Sequence, residues 1–153
     1  MGRNNAKEPE VVVRGMKEDD LAAAQPLLKQ LGYDLELPEI RRRYAALTKS
    51  DGHTLMVAEV GGRMVSLLHV YARLALEKPL EAIVQALVVD SACRQSGIGK
   101  VMMAAAEGWA VERGFRSVAL SSQVHREGAH AFYNALGYEV SATSYSLRKQ
   151  LDV

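Results

Sequence analysis

Residues 85–99 read Gln-Ala-Leu-Val-Val-Asp-Ser-Ala-Cys-Arg-Gln-Ser-Gly-Ile-Gly, and these are residue types that can hold phosphate. An apolar run ends at Asp90, a polar turn carries Arg94-x-x-Gly97-x-Gly99, and a long helical pattern begins there. A helix starting straight out of such a turn leaves its first backbone N–H groups unpaired, at the positive end of the helix dipole. Glycine removes side chains where phosphate oxygens must come close. Arg94, Gln95, Ser96, Gly97, Ile98, Gly99 and Lys100 therefore form a candidate anion cradle, with Arg94 or Lys100 adding charge. Spacing excludes two nucleotide motifs. The dinucleotide fingerprint needs a third glycine where Met102 stands, and a P-loop needs Gly in place of Arg94 and Ser or Thr in place of Val101.

A second stretch, residues 126–138, reads Arg-Glu-Gly-Ala-His-Ala-Phe-Tyr-Asn-Ala-Leu-Gly-Tyr. Ala129, Phe132, Tyr133 and Leu136 recur at helical spacing, and Gly137 supplies the stop. A tyrosine hydroxyl, with an ordinary pKa of about 10, is protonated at neutral pH and can act as a proton donor. On the residues alone, Tyr133 is equally a core tyrosine whose hydroxyl finds a partner.

Together the two stretches resemble the signatures of the GCN5-related N-acetyltransferases, the GNAT family. Arg-x-x-Gly-x-Gly between a strand and a helix is similar to the family's pyrophosphate-binding motif. Residues 126–138 resemble its Asn-x-x-Ala-x-x-Phe-Tyr-x-x-x-Gly-Phe/Tyr signature. Ala129, Phe132, Tyr133, Gly137 and Tyr138 match, and Arg126 replaces Asn. The resemblance implies an acetyl-CoA-dependent N-acetyltransferase that moves the acetyl group to a primary amine by direct attack through a tetrahedral intermediate. It implies that Leu87, Val88 and Val89 border the pantetheine arm, with backbone groups of Leu87 and Val89 free to pair with it. Arg126, Ala129 and Phe132 would touch the cofactor, and Tyr133 would protonate the departing thiolate. A backbone N–H on the same strand could stabilise the oxyanion.

The resemblance leaves the general base open. The position matching the family's strand glutamate is Ile83, which cannot serve. Glu81 lies two residues away on the same face and could work through water. His69 is a second candidate, and His125 and His130 lie near the tyrosine helix. The family takes acceptor specificity from its first two helices and its last hairpin, here about residues 28–45 and 139–146. Asp34, Glu36 and Glu39 there could favour a cationic amine such as a polyamine, a lysine side chain or an aminoglycoside, and are equally plausible as loop and helix-start residues. Two alternatives stay open: a non-catalytic acyl-CoA-binding sensor, and transfer of another acyl group.

The elements that must position these residues follow from local pattern. Val11-Val12-Val13 starts a strand, and Leu21, Ala24, Leu27, Leu28 and Leu31 give a helix stopped by Gly32, with Pro26 expected to kink it or delay its start. Pro38 opens a second helix through Ile40, Tyr44 and Leu47. Gly61-Gly62 joins strands over 54–60 and 63–71 in a hairpin, and a strand over 81–89 follows. The helix after the phosphate turn carries Ile98, Val101, Met102, Ala105 and Trp109 on one face; its Gly108 suggests close packing, and Met102-Met103 reads as core filling. A strand over 116–121 and two short ones within 138–148 complete the order β-α-α-β-β-β-α-β-α-β-β. This is an α/β fold, a mixed and mostly antiparallel sheet flanked by helices, in the element order of GNAT proteins.

Length and composition bound the rest. The chain has 153 residues, 48% hydrophobic and 24% charged, which suits one domain over 10–153 behind a flexible tail at 1–9. A net charge of +1 gives no nucleic-acid footprint, and the Arg41-Arg42-Arg43 run reads as a solvated helix face. The single cysteine, Cys93, excludes an internal disulfide, and no metal-ligand spacing occurs. No apolar run approaches membrane-spanning length, so the expected location is cytoplasmic, with a homodimer as the possible assembly.

Overall fold

In a computed structural model of the chain, residues 10–94 and 96–152 are described. The expected tail at 1–9 lies outside them. The chain divides into two compact units, one up to Ser121 and one from Ser122.

The first unit is built on a five-stranded sheet in sequence order, β1 (Val11–Gly15), β2 (His53–Val60), β3 (Arg63–Arg73), β4 (Glu81–Val89) and β5 (Val118–Leu120). The first four strands pair antiparallel, and β5 joins β4 in parallel. The β2–β3 turn is two residues long because Gly61 and Gly62 both take positive φ, 59° and 77°, which matches the twist of the flanking strands. The sheet is thus mixed and mostly antiparallel, as expected.

Alternation sorts the side chains of the sheet. Val57, Leu67 and Val88 face helix α1 (Leu21–Leu31) and pack with Ala24 and Leu27. The α1 helix begins at Leu21, ahead of Pro26, so the proline delays nothing. Helix α2 (Leu37–Thr48) starts with Pro38 in its first turn, where a missing N–H costs no hydrogen bond. On the opposite face Leu68, Val70, Ala82 and Val84 are buried, and helix α3 (Ile98–Glu112) is the other helix that packs on β3 and β4.

The buried stripe of α3 differs from the expected one. Ile98, Met102, Ala106 and Ala110 point inward together with Met103, while Val101 is exposed. Two alanines thus outcompete the bulkier residues for the inner face. Trp109 instead lies at the flank, edge-on to Phe115, with the Arg113 guanidinium 4.8 Å from its ring centre. Gly108 is exposed and an added Cβ there would meet nothing within 4 Å, so close packing does not explain it.

An ion cluster ties β1 to the start of α1. The Arg14 guanidinium donates two bonds of 2.7 Å to the Asp20 carboxylate and one of 2.7 Å to Glu59. Asp20 also accepts the Lys17 N–H. These bonds hold the Asp20 carboxyl below its ordinary range.

In the second unit, helix α4 (Glu127–Ala135) closes with the Gly137 N–H on the Asn134 carbonyl and the Tyr138 N–H on the Tyr133 carbonyl. Gly137 at φ 94° makes that closure possible. The two strands expected within 138–148 are not formed. The apolar alternation there is real, but Val140, Tyr145 and Leu147 are exposed. A strand needs a pairing partner as well as a pattern.

Candidate functional site

The β4–β5 ladder is short. Its register runs Ala82–Val118, Ile83–Ala119 and Val84–Leu120, and ends there. On the other side, β4 stays paired with β3 through Val89. The β3–β4 register slips between His69 and Val70: Val70 faces Val84 and His69 faces Ala86, so Gln85 is the extra residue of a bulge. The bulge lies where β4 parts from β5.

Beyond the bulge, backbone direction is set by one bond. The Asp90 N–H donates to the Val65 carbonyl, so residue 90 points at β3, and by alternation so does residue 88. The Leu87 and Val89 backbone groups therefore point to the side that β5 has left. Val88 differs from the other two, since its side chain is buried and its carbonyl accepts the Ser66 hydroxyl at 2.8 Å.

The strand runs into a braced turn. Asp90 accepts the Ala92 N–H at 3.1 Å and pairs with Arg63 at 3.3 Å. The backbone bond, Gln30 and nearby arginines hold its carboxyl below the ordinary range. From α1, the Gln30 side-chain carbonyl accepts the Ser91 N–H at 2.8 Å. The Ser96 hydroxyl donates to the Cys93 carbonyl. Arg94, Ser96, Gly97 and Lys100 are exposed, whereas Ile98 is buried and anchors the helix. Gly97 caps α3 at φ 85°, with no side chain on the helix's first N–H groups. The N–H groups of Ile98, Gly99 and Lys100 have no intrahelical acceptor by geometry. Gln95 lies outside the described residues.

In the second unit, Tyr133 is half-buried on α4 with Phe132 and Tyr138 edge-on to its ring, 5.0 and 6.0 Å between centres. Burial pushes its hydroxyl pKa up, and Arg126 offsets part of this, so the proton is held at neutral pH. Arg126 is exposed at the helix start, and Ala129 is half-buried. His130 bonds the Gln123 carbonyl at 2.9 Å.

Glu81 occupies the start of β4 with both oxygens engaged. One accepts Arg73 Nη2 at 3.1 Å and the other the Ser117 hydroxyl at 2.7 Å. Glu39 is likewise committed: Arg42 and Arg43 both bond it and lower its pKa to about 2. Arg41, Arg42 and Arg43 form the solvated face expected of them.

Two features escaped the sequence. The bulge at Gln85 has no residue signature, since nothing in Val84-Gln85-Ala86 demands an extra residue. The second is a histidine pair, His53 Nδ1 and His69 Nε2 at 2.9 Å, with His53 stacked on Tyr71. The two-glycine turn carried the signal for this pair, because it brings His53 opposite Tyr71 and Leu55 opposite His69 once the bulge near Ala58 is included. Among the described residues, no group of three or more His, Cys, Asp or Glu is placed to hold a metal. No helix among them is long and apolar enough to cross a membrane.

The chain belongs to the GNAT family of acetyltransferases: the model of the Acetyltransferase (GNAT) family matches residues 18–138. The activity class is N-acetyl transfer, and a Bacillus subtilis (strain 168) relative described as the uncharacterized N-acetyltransferase YhdJ is 26% identical over 133 residues, 86% of this chain and 92% of the relative. Among solved structures, a transcriptional regulator from Bacillus halodurans C-125 is 25% identical with a TM-score of 0.81, covering 92% of this chain and 100% of that one. Aminoglycoside N-acetyltransferase AAC(6')-Iy in complex with CoA is 18% identical with a TM-score of 0.85, covering 95% and 99%. The likeness to that enzyme is one of fold.

Proposed function

We propose that the chain transfers an acetyl group from acetyl-CoA to a primary amine, with residues 10–153 serving as one domain. The family match runs across the division at Ser121, which supports treating both units as one enzyme. One observation carries the reading: a β4 edge left free at Leu87 and Val89 leads directly into the uncapped start of α3 at Gly97. A pantetheine arm carries amide groups that can pair with such an edge, and its pyrophosphate suits the helix start.

Acetyl-CoA is the cosubstrate and supplies an activated thioester. The chain's own groups do the rest. The N–H groups of Ile98, Gly99 and Lys100 hold the pyrophosphate, with Arg94, Gln95 and Ser96 around it. Leu87 and Val89 pair with the arm, and one of their N–H groups stabilises the developing oxyanion. Val88 supports them from the core. Arg126, Ala129 and Phe132 border the cofactor. Tyr133 donates its proton to the departing thiolate, whose basicity is close to that of the phenol. Glu81, expected to take the amine proton through water, has both oxygens engaged by Arg73 and Ser117, which weakens its claim to that step. A homodimer is the possible assembly. The site of action is cytoplasmic.

Calorimetry with acetyl-CoA, CoA, succinyl-CoA and ATP tests the reading, followed by thiol release in the presence of amines. Selective micromolar binding of acetyl-CoA or CoA with amine-dependent thiol release is the expected outcome. Binding without turnover across an amine library would leave an acyl-CoA sensor instead. No CoA binding would remove the phosphate-turn assignment and the roles built on it.

A further inference from the structure

A cavity of about 150 Å³ lies beneath α1 and α2, lined by apolar side chains from both helices, β2 and β3. It reaches β4 at Ala86, one residue before the free edge at Leu87. Its lining includes no carboxylate among the described residues. Asp34 and Glu36 do not line it, and Glu39 is bound by Arg42 and Arg43. The polar groups that do are Arg43, Tyr44 and His69, and the Tyr44 hydroxyl already donates to the Met16 carbonyl.

His69 leads out of this cavity. Its Nε2 lies 2.9 Å from His53 Nδ1, and His53 lines a second cavity of about 240 Å³ that shares Met16, Tyr44, Leu47 and Leu55 with the first. The histidine pair thus joins one cavity to the other. The ionisable groups facing His69 are His53 from β2, Tyr71 on its own strand, and Arg43 and Tyr44 from α2. The α1 and β4 residues that line the cavity, including Leu21, Leu28 and Ala86, are uncharged.

We infer that this cavity takes the apolar body of a primary amine, and that His69 and His53 carry the amine's proton to solvent. The inference rests on the acetyl-transfer reading and names its acceptor class and proton path. An ammonium group moved into an apolar cavity loses its hydration and gives up its proton more readily. His69 suits a transfer role rather than a storage role. Burial and the neighbouring His53 lower its pKa to about 4, so the ring is neutral near pH 7 and does not hold a charge. The path requires Nε2–H on both rings. The ammonium proton passes to His69 Nδ1 while the Nε2 proton of His69 passes to His53 Nδ1. His53 then releases its own Nε2 proton to water. Both rings end neutral in the other tautomer, and the amine keeps its lone pair for attack on the acyl carbon.

The test uses butylamine, phenethylamine and spermidine as probes with the full chain. Wild type is expected to acetylate the two apolar amines in preference to spermidine. His69→Gln and His53→Gln should each lower kcat for butylamine near pH 7 by about 100-fold, with CoA affinity unchanged. The double variant should be no worse than either single one, because both act on one path. The defect should shrink as the pH approaches the amine's own pKa, about 10.4, where the amine arrives already neutral. A merely structural role would give a defect that does not change with pH, and that result, or wild-type rates in either variant, overturns the inference. Where His69→Gln fails to fold, the half-exposed His53→Gln decides the matter by the same pH profile. CoA binding without turnover of either apolar amine refutes this inference alone. Absence of CoA binding refutes the acetyl-transfer reading beneath it.

Discussion

Tyr133 and Glu81 make opposite demands on their surroundings. Tyr133 must keep its proton until a thiolate appears, and burial on α4 favours that state by raising its pKa. Tyr133→Phe removes the proton and little else, because the ring keeps its edge-on contacts with Phe132 and Tyr138. It should lower kcat by about 100-fold or more and leave CoA affinity within a factor of two or so, measured by thiol release and calorimetry. Glu81 would need an oxygen free to receive a proton, yet Arg73 and Ser117 occupy both. Glu81→Gln therefore discriminates between two roles. A base would lose activity most at low pH, whereas a structural pair would show a lower melting temperature with an unchanged pH profile, and the geometry leads us to expect the second result.

Among the elements, the glycines of α3 separate function from stability. Gly97 holds φ 85° at the helix start, a conformation that costs a side-chain-bearing residue about 1 kcal/mol, although an added Cβ meets nothing in the chain. Gly97→Ala should cost that much in urea unfolding and weaken CoA binding further, since its methyl group would sit where the phosphate must approach. Gly108 has neither excuse. It is exposed in mid-helix with open space around it, so Gly108→Ala should raise stability by about 0.5–1 kcal/mol and leave CoA affinity alone. The contrast also shows what a sequence conveys about elements. The Gly61-Gly62 turn, the two helices before it and the phosphate turn were legible because local backbone chemistry dictates them. The inner face of α3 is harder to read, because the alanines that line it, Ala106 and Ala110, stand in an alanine-rich run whose other members carry the same periodic signal. The strands expected within 138–148 failed for the opposite reason: their pattern is visible, but pairing depends on a partner that sequence does not name.

For the molecule as a whole, the family and the sheet were readable, while the histidine pair and the bulge needed strand register to emerge. The same holds for what ties β1 to the start of α1 and to β2. Arg14 and Asp20 are six residues apart and look like surface charges, yet Asp20 is almost buried and joined to Arg14 by two bonds. Asp20→Asn should destabilise the fold by about 2 kcal/mol at pH 7, leaving Arg14 with Glu59 alone. The sign of the pH effect follows from the lowered pKa of Asp20 in the folded state. Its contribution is fully present above the unfolded value of about 3.9 and fades as the pH falls through the folded one. The gap in melting temperature between wild type and Asp20→Asn should therefore narrow below about pH 4.

The early end of the β4–β5 ladder has a kinetic consequence. Leu87 and Val89 sit in the middle of a sheet, where amides ordinarily exchange with solvent only when the whole structure opens. With β5 gone beyond Val84, those two amides have no ladder to protect them, whereas Val88, facing β3, does. Hydrogen exchange along β4 should therefore alternate, fast at 87 and 89 and slow at 88. Addition of CoA should erase that alternation, with the bound arm filling the place of the absent strand.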